Sequence, residues 1–313
     1  MSKTVFLFPG QGAQYVGMGK DIYDASSVAK DLFARAEAVT GIDIAKVCFE
    51  GPEELLNRTD IAQPAIFTVS AAMLGVMSEI LGSDMPKPDV AAGLSLGEYT
   101  ALYATGSMDF ETGVKLVARR GELMQAAAVN CPSSMVAVMG LDETQATELC
   151  KKAAEGQILT PANFNCPGQI VLSGETDACR RAADISEEFG ARGATVLKVA
   201  GAFHSEIMRP AAEEFAKTLA DVNFSNPDIS VVANVDFAEY ASAEDIPTKL
   251  LLQLTGAVRW SQSMEKLIAG GADKFYEIGP GKVLAGLMRR IDRNTKVTMV
   301  NSLDAAKKLA DNK

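Results

Sequence analysis

The chain has 313 residues, 48% of them hydrophobic and 22% charged, a globular composition that supplies a sizeable core and argues against disorder. At ~150 residues per domain the length suggests about two domains, or one large domain with an insertion. The 30 basic and 40 acidic residues give a net charge of −10, which argues against a general affinity for nucleic acid or anionic membrane and leaves room only for a local basic patch.

The first apolar run, Val5–Phe8, is too short for a signal sequence and reads as a buried strand. It enters Pro9-Gly10-Gln11-Gly12, and a helix follows around 26–40. The long apolar stretch from Ile61 to Gly82 is broken by Gln63, Pro64, Thr68, Ser70, Ser78 and Glu79, so a core helix is favoured over a membrane span. Its start is expected near Pro64, because proline suits the first helical position. A short strand over 88–92 leads into Gly93-Leu94-Ser95-Leu96-Gly97, followed by helical patterns over 98–103 and 110–127. Strand–turn–helix alternation implies a mainly parallel sheet with helices on its faces.

The rhythm changes over 134–199. A strand over 135–139 precedes a helix opened by Asp142, then strands over 158–162 and 169–173, a helix over 176–189 and a strand over 194–199. The order β-α-β-β-α-β is the ferredoxin-like arrangement. The expected fold is therefore α/β, with 131–199 as a small subdomain inserted into a large body made of 1–130 and 200–313. The tail after Asp304 reads as a short polar helix or a frayed end. Five cysteines, Cys48, Cys131, Cys150, Cys166 and Cys179, form no C-x-x-C pair, which fits a reducing compartment.

The strongest chemical signal is Gly93-Leu94-Ser95-Leu96-Gly97. It matches G-x-S-x-G between a strand and a helix, the context of a nucleophile elbow. The Leu96 N–H at the helix start is then available to a developing oxyanion. A serine nucleophile needs a base, and the chain has one histidine, His204. An isolated histidine is more often structural, but here it is the only candidate imidazole in a chain that carries an elbow. Many acids lie between the two residues and none is singled out, so a backbone or amide carbonyl is an alternative orienter of the ring. Arg119 or Arg120 could anchor a carboxylate, although spacing alone favours a solvated helix face for each. Pro9-Gly10-Gln11-Gly12-Ala13-Gln14 is either a tight β–α turn or a loop completing an oxyanion hole. Gly279-Pro280-Gly281-Lys282-Val283 lacks the residues of a phosphate-binding loop and reads as a structural turn.

Together these segments closely resemble the malonyl-CoA:acyl-carrier-protein transacylase family of type II fatty-acid synthesis. The resemblance runs from Phe6 to about Asn301. It rests on Phe8-Pro9-Gly10-Gln11-Gly12-Ala13-Gln14, Gln63-Pro64-Ala65, the elbow with Glu98-Tyr99, Arg120-Gly121-Glu122-Leu123-Met124-Gln125, the run Asn163 to Gln169, Ala202-Phe203-His204, Gln253-Leu254 and Glu277 to Val283. It implies an α/β-hydrolase-like core with a ferredoxin-like insert. It further implies Ser95 as the acylated nucleophile, His204 as general base and Gln253 as the residue whose carbonyl orients that base. Backbone N–H groups of Gln11 and Leu96 would form the oxyanion hole. Arg120 would hold the malonyl carboxylate, with Phe203, Gln63 and Asn165 also facing substrate, and an Ala-Phe-His pattern accompanies malonyl over methylmalonyl in related domains. Many members carry histidine where this chain has Leu94.

The reaction so implied is ping-pong transfer of malonyl from malonyl-CoA to the pantetheine thiol of acyl carrier protein, with no cofactor, no metal, and neither nucleic acid nor membrane as partner. A monomer is expected, in a bacterial cytoplasm, or in a plastid stroma with the transit peptide absent from this chain. The rivals are a hydrolase on the same fold and a dinucleotide-binding module built on the first glycine-rich loop. Lys282, Arg289, Arg290, Arg293 and Lys296 stand against one acid, Asp292, in a run that, with Lys198, is a candidate docking patch for the acidic carrier or the CoA phosphates.

Overall fold

The computed structural model describes residues 2–197 and 199–311. Among the described residues, nine strands divide between two sheets. β1 (Lys3–Phe8), β2 (Val90–Gly93), β7 (Ser230–Val232), β8 (Ala272–Ile278) and β9 (Val297–Val300) form a wholly parallel sheet in the order β7-β2-β1-β8-β9. β1 is central and buried on both faces, as its Val5–Phe8 run requires. The chain builds outward from β1 through β2 to β7 on one side, then crosses to β8 and β9. That reversal is a topological switch point, and open α/β sheets bind ligands there, at the carboxyl ends of the strands. Phe8, Gly93 and Ile278 end their strands at that edge.

β3 (Ser133–Met139), β4 (Leu159–Cys166), β5 (Gln169–Glu175) and β6 (Gly193–Val196) are contiguous in sequence and form an antiparallel sheet in the order β4-β5-β3-β6. Its helices are Glu143–Ala154 and Thr176–Ile185, so the βαββαβ order is ferredoxin-like, as expected. Asp142 caps the first helix with a reciprocal capping box to Gln145. β4 continues through Asn163–Cys166, where a connection was expected. The cause is a second set of partners: the Phe164 N–H donates to the Val258 carbonyl at 2.9 Å, and the Val258 N–H to the Ala162 carbonyl at 2.8 Å. These bonds tie the small sheet to the large body.

The helix Thr59–Leu81 begins a turn before Pro64, which is its sixth residue. The Ile61 and Ala62 amides both bond the Arg58 carbonyl, and Gln125 Oε1 accepts the Thr59 N–H at 3.1 Å, so the first turn closes without help from proline. The stretch Thr59–Asp84 is long and apolar enough to cross a membrane, yet 67% of its most apolar window is buried in the protein. It is a core helix, packed against Ser27–Thr40 and Phe110–Asn130. Gly121 allows the last contact, since a Cβ there would lie 2.7 Å from the Thr59 carbonyl oxygen. The tail forms the helix Leu303–Asp311. All five cysteines are free.

Candidate active site

The elbow is assembled by close backbone contact. A Cβ on Gly93 would sit 1.9 Å from the Gly97 carbonyl group, and one on Gly97 would sit 2.1 Å from the Phe8 carbonyl oxygen. Both glycines are therefore required by space, and the turn is pressed onto the end of β1. Ser95 is left at a φ of +52°, a left-handed conformation that costs a non-glycine residue free energy. Asn234, just beyond β7, holds it there. Its Oδ1 accepts the Ser95 N–H at 2.6 Å and its Nδ2 donates to the Gly93 carbonyl at 2.7 Å.

His204 also has a positive φ, +58°. Its loop is moored to the small sheet: Ser173 Oγ on β5 donates to the Phe203 carbonyl at 2.6 Å, and the Ala202 N–H donates to Ser133 Oγ at 3.1 Å. The ring is buried, with Nε2 2.9 Å from Ser95 Oγ and Nδ1 2.7 Å from the Gln253 carbonyl oxygen. A carbonyl only accepts, so Nδ1 carries the proton and Nε2 is left as the acceptor facing the serine hydroxyl. Burial, and secondarily the Arg120 charge, pushes the imidazole down to about 4. It is neutral near pH 7. The orienter is thus a backbone carbonyl and not an acid.

Arg120 and Arg119 part company on the helix Phe110–Asn130. Arg119 is exposed and pairs with Glu122 at 3.1 Å. Arg120 is 1% exposed, although an isolated buried cation costs several kcal/mol, ~5 or more. Its charge is met by neutral acceptors: Nη1 donates to Gln63 Oε1 at 2.8 Å, and Nη2 to Gln253 Oε1 at 2.9 Å and Ser95 Oγ at 3.0 Å. Tyr99 presents its ring face 5.4 Å from the guanidinium carbon. Burial pulls the guanidinium below its ordinary value, opposed by the neighbouring Tyr99 and Glu98. Nε is buried and has no hydrogen-bond partner among the described residues. A charged fork is therefore aimed at Ser95 Oγ with a donor to spare.

The Gln11 and Leu96 amides make no hydrogen bond to the chain among the described residues, which leaves both free as donors beside the elbow. Gly10 permits the approach of the first loop, since a Cβ there would lie 2.2 Å from the Leu94 carbonyl oxygen. Phe203 is buried next to His204. Gln63 is wholly buried and reaches Arg120 and the Met124 sulfur, so it braces the guanidinium. Asn165 lies half-buried on β4 and makes no hydrogen bond to the Ser95 cluster. Leu94 packs against the apolar layer on the far face of the sheet. Glu98, Asn234 and Tyr240 belong to the constellation and were given no role from sequence. A lone acid in the small, apolar helix Gly97–Ala104 was the available signal for Glu98. Gly279 to Val283 is a structural turn: Glu277 accepts the Leu284 and Ala285 amides at 2.9 and 2.8 Å and caps the helix Val283–Ile291. Among the described residues no group of three or more His, Cys, Asp or Glu side chains is placed to hold a metal ion.

A strained elbow serine, an oriented neutral imidazole and free amides define serine acyl-transfer machinery. The chain belongs to the acyl transferase domain family, whose model matches residues 5–304. It is 41% identical over 302 residues to a malonyl CoA-acyl carrier protein transacylase of Bacillus subtilis (strain 168), covering 96% of this chain and 94% of that protein. It is 39% identical over 305 residues to the malonyl CoA-acyl carrier protein transacylase of Escherichia coli (strain K12), covering 97% and 98%. Among solved structures, a malonyl-transacylase in complex with its type II PKS acyl-carrier protein superposes with a TM-score of 0.95 at 39% identity, covering all of both chains. An acyl carrier protein S-malonyltransferase from Vibrio cholerae gives 0.94 at 40% identity, covering 98% of this chain and all of that one.

Proposed function

We propose that this protein moves a malonyl group from malonyl-CoA to the pantetheine thiol of an acyl carrier protein through a malonyl ester on Ser95. His204 Nε2 takes the Ser95 proton as Oγ attacks the thioester carbonyl. The Gln11 and Leu96 amides hold the oxyanion. Collapse expels the CoA thiolate, which takes the proton back from His204. The carrier's thiol then gives its proton to His204, attacks the ester, and restores the serine.

The observation that carries the malonyl assignment is Arg120, buried and 3.0 Å from the nucleophile. A malonyl carboxylate lies two carbon atoms beyond the ester oxygen, within the span of a guanidinium so placed. The same anion buried without a cation would be strongly disfavoured. The carboxylate also offsets the Arg120 charge that depresses His204, so the correct substrate strengthens its own base.

A cleft of about 1030 Å³ lies between the small sheet and the helix Val283–Ile291, lined by Arg192, Arg289, Arg290 and Arg293. Arg290 bridges the two parts through Gln169 at 2.7 Å. On a chain of net charge −10 this cationic face fits an acidic carrier protein or CoA phosphates. Of the candidate patch, Lys198 lies outside the described residues, and Lys282 and Lys296 are exposed but do not line this cleft. We also place the enzyme in the cytoplasm as a monomer that needs no cofactor. Mixing enzyme, malonyl-CoA and pantetheine-loaded carrier and following both products by mass tests the reading. Malonyl-carrier should accumulate; free malonate as the main product would make the protein a hydrolase.

A further inference from the structure

A second layer of polar groups supports the reacting ones. Glu98, second residue of the helix Gly97–Ala104, is wholly buried. Its carboxylate is met only by donors: the Tyr240 hydroxyl at 2.5 Å, Gln253 Nε2 at 2.5 Å, and the Asn234 N–H shared between both oxygens at 3.3 Å. A shell made only of donors favours the ionised form.

The arrangement settles which way the Gln253 amide points. Nε2 is held by two acceptors, Glu98 and the Ser95 carbonyl at 2.9 Å, so Oε1 must face Arg120. The main-chain carbonyl of the same residue orients His204. One residue thus links nucleophile, base and carboxylate anchor, and Glu98 sets the orientation of its side chain.

We propose that Glu98 is a positioning residue of the acyl-transfer site: as a carboxylate it locks Gln253, and through Gln253 the Arg120 guanidinium, and taking up a proton releases the lock. This rests on the malonyl-transfer reading of the site. A proton on Oε2 would face the Gln253 amide N–H. Relief requires the amide to turn over, which puts its NH₂ against Arg120 and leaves the Ser95 carbonyl without a donor. A proton on Oε1 requires the Tyr240 hydroxyl to turn from its one hydrogen-bond partner among the described residues. The first change turns the amide and loosens the fork that receives the substrate carboxylate; the second leaves the amide in place but removes the charge that strengthens its bond to Gln253.

The groups facing Glu98 set where this happens. They are Tyr99 on its own helix, Arg120 from Phe110–Asn130, Tyr240 from the loop after β7, and neutral His204 beyond Gln253. Burial pushes the carboxyl up to about 7, against Tyr240, Gln253, Asn234 and Arg120, which pull it down. The release therefore falls within working pH, above the His204 titration near 4.

The test is single-turnover acylation of Ser95 across about pH 5–9, by malonyl-CoA and by acetyl-CoA, in wild type, Glu98→Gln and Tyr240→Phe, with folding checked by circular dichroism. Wild type should lose malonyl loading below a limb near 7 and lose acetyl loading less. Glu98→Gln should abolish that limb and cut the malonyl-to-acetyl ratio about tenfold, because a carboxamide neither titrates nor satisfies all the donors. Tyr240→Phe removes one donor and should move the limb up by about one pH unit. A merely structural role would lower both acyl groups alike and leave the limb in place. A folded Glu98→Gln that keeps the wild-type limb overturns the proposal. If Glu98→Gln does not fold, an unmoved limb in Tyr240→Phe overturns it. Absence of any acyl-Ser95 in wild type defeats the malonyl-transfer reading itself, a result distinguishable from either.

Discussion

Replacing Arg120 with alanine removes the guanidinium beside Ser95 and leaves two buried acceptors, Gln63 Oε1 and Gln253 Oε1, without their donor. The incoming malonyl carboxylate would then be buried unpaired. Losing one partner of a desolvated, hydrogen-bonded charge pair costs about 2–5 kcal/mol. At ~1.4 kcal/mol per decade, kcat/KM for malonyl loading should fall by about 30- to several-thousand-fold. Acetyl loading should hold or rise, because no anion has to be accommodated. Removing Arg120 also relieves one of the two influences that depress His204, so the lower, His204 limb of acetyl loading should move above about 4. Arg120→Lys should rescue only partly: an ammonium cannot span Gln63, Gln253 and Ser95 as a planar fork does. The assay is a competition among malonyl-, methylmalonyl- and acetyl-CoA, read as the mass of the acyl-serine. A folded Arg120→Ala that keeps the wild-type malonyl-to-acetyl ratio would refute the reasoning, as would acetyl preference in wild type.

His204→Ala should slow acylation by about 10²–10⁴-fold with the fold intact, measured by single-turnover kinetics. His204 also bears on stability: the folded ring resists protonation until about 4, whereas an unfolded imidazole titrates near 6.5. The unfolded chain binds more protons in that window, so this contribution is lost as pH falls through it, and His204→Gln should flatten the decline by about 3 kcal/mol in urea melts. Phe203→Ser should admit methylmalonyl-CoA and lower stability by about 3 kcal/mol, because the ring is 6% exposed; an unchanged acyl preference would remove Phe203 from the pocket wall. Charge reversal at Arg289 and Arg290 should raise KM for the carrier protein and flatten its salt dependence, and a KM like that of wild type would exclude the arginine cleft as the docking face.

The elbow was legible because its glycines answer a steric demand visible in any G-x-S-x-G that joins a strand to a helix, and His204 was legible because the chain has no other imidazole. The choice between Arg119 and Arg120 was not available from spacing. It is made by the Thr59–Leu81 helix, which packs on one face of Phe110–Asn130 and takes Arg120, Gly121, Met124 and Gln125 with it. Asn234 reaches Ser95 across 139 residues and lies in no local pattern, so only the pairing of β7 with β2 reveals it. The βαββαβ order was readable from alternation, but the length of β4 was not, because its last residues are paired by Val258 from another part of the chain. Pro64 misled for a related reason: capping by Gln125 and Arg58 starts the helix about a turn before the proline.

The central claim is that Ser95 Oγ, held 2.9 Å from His204 Nε2, carries the acyl group between the two thiols. Intact mass and peptide mapping after brief exposure to malonyl-CoA test it most directly. One malonyl adduct should map to the Ser95 peptide, vanish on adding pantetheine-loaded carrier protein, and never form in Ser95→Ala. An adduct that persists in Ser95→Ala, or that maps to Cys166, would contradict the account.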